Sequence, residues 1–275
     1  MARRVLFFLG AATVATLIAL VAWTLFNHAA SRSTGSDMDA YWEAALRLRN
    51  GEPLYRPGNP TDSDLYRYAP WFAVAWIPLT YLPKDVVLIA WMSLCLGAAI
   101  ASVAPLARQG LAGWAALVFL LPFQLDGAAF GNVQPLLVLM LLWGVPKRSG
   151  PLWIALGASL KGAPLVLAAV YAGRGEWKRA AAAGGITALL VAPMLLFDLS
   201  GYSTEVGSGQ LSSMQWSPLI WAAVTLGAIA ATYRLANTRY AWLAGSVAMF
   251  VALPRSFLYQ ISFVIVGLAR DRRFP

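Results

Sequence analysis

The chain has 275 residues, of which 59% are hydrophobic and only 12% are charged, and its net charge is +9. A soluble globular domain carries about 25% charged residues, so this composition excludes an ordinary soluble enzyme and predicts that lipid is the solvent for most of the chain. The basic residues stand in short clusters between apolar runs, which indicates membrane topology and no nucleic-acid partner.

The first predicted element is an apolar run over residues 5–26, which is long enough to cross a membrane once. Arg3 and Arg4 precede it, so the N-terminus is predicted to be cytoplasmic and the next segment to lie outside. Signal-peptide cleavage after Ala30 is the alternative. A single membrane domain is expected over 1–275, with 1–27 as the first span, 28–84 as an outer loop and 85–275 as the remaining spans.

The outer loop, residues 28–84, is the longest polar stretch and holds six of the 12 acidic residues. Apolar residues recur at helical spacing over 38–49, and Asn50-Gly51 ends the pattern, so a short amphipathic helix is predicted there. The apolar segment 71–82 is short and contains Pro78, which indicates an interfacial or re-entrant helix.

Beyond this loop, apolar runs and basic clusters alternate as in successive membrane spans. The elements predicted are spans over 86–107, 111–125, 135–146, 180–197 and 218–233, a turn over 126–134, an outer loop over 198–217, and a last element over 240–269 that Pro254-Arg255 interrupts. The basic tail 270–273 places the C-terminus in the cytoplasm. The expected fold class is all-α, a polytopic membrane bundle of about 8–10 membrane helices that include half-helix hairpins.

Residues 151–172 are long enough to span once, yet basic clusters flank both ends. Gly157 and Pro164 lie on either side of Lys161 and are helix breakers. A hairpin of two half-helices that enters and leaves on the cytoplasmic side satisfies the charge rule, and it is favoured over a single tilted span.

Ionisable side chains in apolar surroundings are candidates for function, because charges at that depth are costly. The apolar runs contain no Asp or Glu, which disfavours a proton-coupled transporter. The cations Lys161 and Arg255 suit a phosphate whose lipid tail lies in the bilayer. The alternatives are that Lys161 snorkels to the interface and that Arg255 anchors it.

Asp37 and Asp39 follow the first span, where the chain is predicted to reach the outer surface. A carboxylate there could act as a general base for an acceptor hydroxyl, whereas spacing alone favours a helix N-cap. Asp62 and Asp64 do not complete a metal-ligand set, and the chain has one Cys and one His, so no metal and no cofactor is predicted.

Several short motifs occur in a defined order along the chain. They are Asp37-Met-Asp-Ala-Tyr41, Gly51-Glu-Pro-Leu-Tyr55, Tyr66-Arg-Tyr68-Ala-Pro70, Gly131-Asn-Val-Gln134, Gly157 to Pro164 with Lys161, and Pro254-Arg255 through Tyr259. In order and spacing they resemble the polyprenyl-phosphate-sugar-dependent glycosyltransferases of family 87, the alpha-mannosyltransferase-like proteins also called DUF2029.

The resemblance implies a GT-C fold in the cell membrane, with the active site on the extracytoplasmic side. It implies an inverting transfer of a hexose, with mannose expected, from a polyprenyl-phosphate sugar to a lipid or glycan acceptor. Asp37 would be the general base, and Lys161 and Arg255 would bind the donor phosphate. The substrate-binding residues implied are Asp39, Tyr41, Tyr55, Tyr66, Tyr68, Asn132, Gln134 and Tyr259. A non-catalytic lipid or glycan transporter and a membrane scaffold are the alternatives.

Overall fold

The structure is a computed structural model that describes Thr16 and residues 37–58, 65–202 and 211–270. Apart from Thr16, the predicted first span lies outside the described residues, as do both termini. The α-helices are α1 (Asp37–Arg49), α2 (Pro70–Trp76), α3 (Lys84–Ala107), α4 (Gly110–Ala129), α5 (Gln134–Gly144), α6 (Gly150–Lys161), α7 (Ala168–Gly173), α8 (Trp177–Val191), α9 (Pro218–Arg234), α10 (Ala241–Val251) and α11 (Val264–Leu268). The 3-10 helices are Ile77–Tyr81, Ala163–Leu167, Ala192–Leu196, Ser213–Gln215 and Leu258–Phe263.

Three of the described helical segments are long and apolar enough to cross a membrane. They are Lys84–Ala107, Gly110–Ala129 and Trp177–Leu196. Shorter apolar helices accompany them at Gln134–Gly144, Ala163–Gly173, Ala241–Val251 and Leu258–Leu268. The predicted class, an all-α membrane bundle, is therefore confirmed.

Two hydrophobic clusters hold the bundle together. The larger one lies where α3, α4, α5, α6 and α10 meet, and Leu106, Leu121 and Ile154 are among its fully buried members. The second is rich in aromatic residues and packs α1 and α2 on α3. In it the Tyr41 ring lies 5.0 Å from the Phe72 ring, an edge-to-face geometry that aromatic pairs prefer. This cluster fixes the start of α1 relative to the membrane helices.

The segment 150–173 is a hairpin, in agreement with the sequence-based prediction. The chain reverses at Gly162, whose positive φ of 66° suits glycine. Gly157 lies inside α6 and does not interrupt it, contrary to expectation; its missing side chain lets Pro164 approach closely. At the other end, Arg179 Nη2 donates to the Lys147 carbonyl at 2.9 Å, so the basic clusters before and after the hairpin are neighbours.

The turn between α4 and α5 is shorter than predicted. Helix α4 continues through Asp126, so the turn is confined to residues 130–133. Gly131 adopts a positive φ of 64°, and Trp91 Nε1 donates to its carbonyl at 2.6 Å. A Cβ atom on Gly131 would lie only 3.0 Å from Cβ of Met38, so glycine allows this turn to pack against the start of α1.

Candidate active site

Asp37 begins α1 and is tied to the 130–133 turn by two hydrogen bonds. Its backbone N–H donates to the Phe130 carbonyl at 2.8 Å. Its carboxylate oxygen Oδ2 accepts from Asn132 Nδ2 at 2.7 Å. The side chain is half-buried and lines a large cavity. A residue that only caps a helix does not need a hydrogen bond to a distant part of the chain, so the bond to Asn132 indicates a further role for Asp37.

Asn132 connects the carboxylate to a lysine. Its Oδ1 accepts from Lys161 Nζ at 3.0 Å and from the Gln134 backbone N–H at 2.8 Å. Because two donors hold this oxygen, the amide nitrogen is turned towards Asp37 and also towards the Tyr259 hydroxyl, 3.3 Å away. Asn132 itself is buried, so it orients its neighbours from behind the cavity wall.

The two cations predicted from the sequence both line the cavity. Lys161 ends α6, and its Nζ lies 4.9 Å from the centroid of the Tyr259 ring. Arg255 follows the break at Pro254, and its Nε and Nη1 are buried without a hydrogen-bond partner in the part of the chain that the structure describes. Buried N–H groups with spare donor capacity favour binding of an anion.

The charge state of Asp37 depends on opposing influences. Burial raises the pKa of its carboxyl group above the ordinary value, while the Asn132 hydrogen bond and the positive charges of Lys161, Arg67 and Arg255 oppose this rise. The net result is a raised pKa, which makes the carboxylate a better proton acceptor than a solvated aspartate.

The segment 65–69 presents one cation that the sequence analysis did not select, Arg67. Tyr66 is buried and donates its hydroxyl to the Ala69 carbonyl at 2.7 Å, and the Tyr55 hydroxyl donates to the Tyr68 carbonyl at 2.9 Å. With the backbone held in this way, Arg67 and Tyr68 both line the cavity. The sequence signal that could have identified Arg67 is its place between two tyrosines in the Tyr66-Arg-Tyr68 motif.

The cavity measures about 1400 Å³, more than the roughly 300–1,000 Å³ of a usual small-molecule pocket. Asp37, Lys161 and Arg255 lie at its polar end. From there it continues between α8 and α9, because α8 packs on α6 and α7 whereas α9 packs on α7 and α10. We call this continuation the apolar groove; its walls include Ala180, Thr187, Val191, Leu226, Ile229 and Ala230.

At the end of the apolar groove remote from Asp37, the rings of Trp177 and Tyr233 lie 6.3 Å apart. Within the described ranges, no group of three or more His, Cys, Asp or Glu side chains is placed to hold a metal ion.

The family model of glycosyltransferase family 87 matches residues 66–205, just over half of the chain. This chain belongs to glycosyltransferase family 87. No curated protein and no solved structure matches it. The family predicted from the motifs is therefore confirmed, and the protein is a membrane glycosyltransferase. The matched region contains the segment 65–69 from Tyr66 onwards, the 130–133 turn and the hairpin, but neither Asp37 nor Arg255.

In this glycosyltransferase the residues proposed from the sequence fall into two sets. Asp37, Tyr68, Lys161, Arg255 and Tyr259 line one cavity, with Asn132 directly behind them. The others, Asp39, Tyr41, Tyr55, Tyr66 and Gln134, are buried in the protein and are not among the residues that line it.

For this second set the structure shows contacts within the protein, and their role in substrate binding stays a prediction. Asp39 forms an ion pair with Lys84, with an oxygen–nitrogen distance of 2.8 Å. The Tyr41 hydroxyl accepts from the Val133 backbone N–H at 3.2 Å and so braces the turn. Gln134 Nε2 donates to the Ser262 hydroxyl at 3.3 Å, which links α5 to the segment after Arg255. Sequence reasoning could not separate these residues from the cavity-lining ones, because both kinds occur in the same motifs.

Proposed function

We propose that this family 87 enzyme transfers a hexose, with mannose as the first candidate, from a polyprenyl-phosphate sugar to a hydroxyl of a lipid or glycan acceptor. The observation that carries the proposal is that one cavity joins a half-buried carboxylate, a group of cations and a long apolar groove. A lipid-phosphate sugar needs all three: a base near the reacting carbon, positive charge at the phosphate and an apolar surface for the chain.

Asp37 is the proposed general base. The acceptor oxygen attacks the anomeric carbon, its proton passes to the Asp37 carboxylate, and the bond from that carbon to the phosphate oxygen breaks with the electron pair on phosphate. Among the described residues that line the cavity, Asp37 is the one carboxylate. A single carboxylate supports a direct, inverting displacement, since a double displacement would need a separate nucleophile.

Lys161 and Arg255 are the proposed partners of the donor phosphate. Both lie at the polar end of the cavity, and Arg255 has buried N–H groups available for an anion. Positive charge fixed in a partly desolvated site stabilises a developing anion more effectively than it would in water. Tyr68 and Tyr259 line the same end and offer ring faces against which a sugar could pack.

The apolar groove is the proposed site of the polyprenyl chain. Along α9, its lining residues extend from Trp221 to Tyr233, which corresponds to about 18 Å at the rise of an α-helix. Thr232 is the one fully buried residue of α9, and Ala183 is that of α8. Helices so little covered by protein suit a boundary with lipid, from which an alkyl chain can enter.

The distribution of cations supports an active site on the extracytoplasmic side of a multi-pass cell-membrane protein. Helix α6 separates Gly150 from Lys161 by about 17 Å at the helical rise, and the basic clusters lie at the Gly150 end. Basic residues stand at the helix ends remote from Asp37; they are Arg108, Lys147, Arg148, Arg174, Lys178, Arg179, Arg234, Arg239 and Arg270. Because such clusters mark the cytoplasmic face, Asp37 would face outwards.

The test is a donor comparison with the purified full-length protein. Polyprenyl-phosphate mannose, polyprenyl-phosphate glucose and the corresponding nucleotide sugars are each incubated with a membrane lipid extract and with glycan acceptors. We expect a product of one added hexose, seen by mass spectrometry, from a lipid-linked donor only, with inverted anomeric configuration by NMR. Transfer from the nucleotide sugars, or movement of labelled lipid across vesicles with no product, would contradict the proposal.

A further inference from the structure

Arg67 is a second guanidinium at the polar end of the cavity. It lines the same cavity as Asp37 and Arg255, and its Nη1 donates to the Leu65 carbonyl at 3.2 Å. The buried hydroxyl bond of Tyr66 to Ala69 holds the short segment that carries it. Its position is therefore set by the fold of this segment.

Arg67 and Arg255 act on one another electrostatically. Burial lowers the pKa of the Arg67 guanidinium, and the positive charge of Arg255 lowers it further. Two like charges in a half-buried site raise the free energy of the empty protein, and an anion placed between them would relieve that cost. This is the arrangement expected of a site built for a phosphate.

Lys161 is bonded to the side chain that holds the Asp37 carboxylate. Its Nζ donates to Asn132 Oδ1 at 3.0 Å, and Asn132 in turn donates to Asp37. Part of its role is thus to hold Asn132 against the carboxylate. The two guanidinium groups are the donors with planar geometry suited to two phosphate oxygens at once.

The polar end carries two more positive than negative charges, since Arg67, Lys161 and Arg255 face the single carboxylate of Asp37. A lipid-phosphate sugar is a phosphodiester with one negative charge. The lipid phosphate that leaves is a monoester, which carries about 1.5 to 2 negative charges near neutral pH. When the acceptor proton passes to Asp37, one negative charge is lost from that carboxylate and one is gained by the phosphate, so the attraction between the cations and the phosphate strengthens as the donor becomes the leaving group.

We propose that Arg67 and Arg255 form a two-arginine clamp matched to the charge of the departing phosphate. The proposal rests on the proposed function of the same cavity. When the bond from the anomeric carbon to phosphate oxygen breaks, the electron pair remains on phosphate, while the acceptor proton goes to Asp37. The clamp therefore gains interaction energy as the reaction proceeds, which lowers the barrier.

The experiment measures binding without turnover. Full-length protein in detergent is titrated at pH 7.5 with farnesyl phosphate, with its methyl diester and with farnesol. We expect the monophosphate to bind most tightly. Arg67→Gln and Arg255→Gln should each weaken its binding by about tenfold to a hundredfold, the loss expected for one hydrogen-bonded contact to a charged group, and reduce the preference over the diester. Arg148→Gln, an exposed arginine at the other end of the protein, is the matched control and should bind as the wild type does.

Arg67→Lys keeps the positive charge but lacks the planar guanidinium that can bond two phosphate oxygens at once, so it should bind the monophosphate with intermediate affinity. This variant also shows whether the loss in Arg67→Gln comes from misfolding. Wild-type affinity in Arg67→Gln, or equal affinity of the wild type for monophosphate and diester, would overturn the clamp. The proposed function is tested separately. If no lipid-linked sugar is transferred while the clamp variants still lose phosphate affinity, the reaction is wrong and the binding site stands.

Discussion

Around Asp37 the cavity wall is held by hydrogen bonds between distant parts of the chain, from α1 to the 130–133 turn and on to α6. Along α8 and α9 it consists of small and aliphatic side chains together with the rings of Trp177, Trp221 and Tyr233, and little protein lies behind them. In the most apolar window of Trp177–Leu196 only 6% of the residues are buried, against 44% in that of Lys84–Ala107. The same cavity thus has one rigid end and one loosely packed end.

Under the proposed function, the two ends would bind different parts of the donor. A reacting carbon, a base and a phosphate must meet within a fraction of an ångström, which demands side chains locked by their neighbours. A long alkyl chain has many conformations and needs only apolar contact along its length. Substitutions at the polar end should therefore change the rate of transfer, and substitutions in the apolar groove should change the apparent affinity for long donors.

The largest effect is expected from Asp37→Asn. Loss of the proposed general base should reduce kcat by about 10²–10⁴-fold, measured as hexose transferred per protein molecule. Because burial raises the pKa of Asp37 and so favours its neutral form, the uncharged variant should be at least as stable as the wild type at neutral pH. Asp85→Asn, the same change at an exposed position in the first turn of α3, is the control. Unreduced transfer by Asp37→Asn would remove this residue from the mechanism.

A smaller loss of rate is expected from Asn132→Ala. It removes the donor to Asp37 and leaves Lys161 without its acceptor, so kcat should fall by about tenfold to a hundredfold. The acid limb of the pH profile should also move to higher pH, since the Asn132 hydrogen bond lowers the pKa of Asp37. Asn237→Ala, at an exposed site near the basic end, should leave both unchanged. A fall in rate with an unmoved acid limb would indicate that Asn132 only supports the fold.

The transfer rate and the stability of the wild type should both depend on pH. The active base is the ionised form, and burial raises the pKa of Asp37, so kcat/KM should fall as pH drops through a value above the ordinary 3.8 of aspartate. Protein stability should change in the opposite direction, because a carboxyl whose pKa is raised in the folded state stabilises the fold in its neutral form. The stability that neutral Asp37 contributes is therefore present at low pH and is lost as pH rises through the raised pKa. Initial rates and thermal unfolding across pH 4–8 measure both effects. An acid limb at or below pH 3.8 would contradict the buried environment of the base.

The smallest effect is expected in the apolar groove. Leu226→Trp adds bulk to a residue that lines the groove, so KM for a long-chain donor should rise by a few-fold, as expected for about 1 kcal/mol of lost apolar contact, with kcat nearly unchanged. Val224→Trp makes a similar change on an exposed face of α9 outside the cavity and is the matched control. A short-chain donor should not distinguish the two variants. Equal KM values for the long donor would place the chain elsewhere.

Several features could be predicted from the sequence because each depends on the free-energy cost of a charge in an apolar run or on the order of motifs along the chain. Lys161 stands out since a charge in an apolar run is expensive, and the hairpin follows from basic clusters on both of its flanks. The family follows from motif order. The direction in which each side chain points could not be predicted. Tyr66 and Arg67 are adjacent, yet Tyr66 packs inwards and Arg67 lines the cavity. The bridge through Asn132 and the gap between α8 and α9 arise only when distant segments meet.

The contact between Trp177 and Tyr233 has a further consequence. It lies at one end of the groove, about 18 Å along α9 from Trp221 at the rise of an α-helix. A polyprenyl chain longer than this would extend beyond the groove, and since α8 and α9 are little covered by protein, its remainder would lie in the surrounding membrane. The enzyme would then never extract its donor from the bilayer. It would bind the head group and the first isoprene units of the donor while the rest of the polyprenyl tail stays in the bilayer.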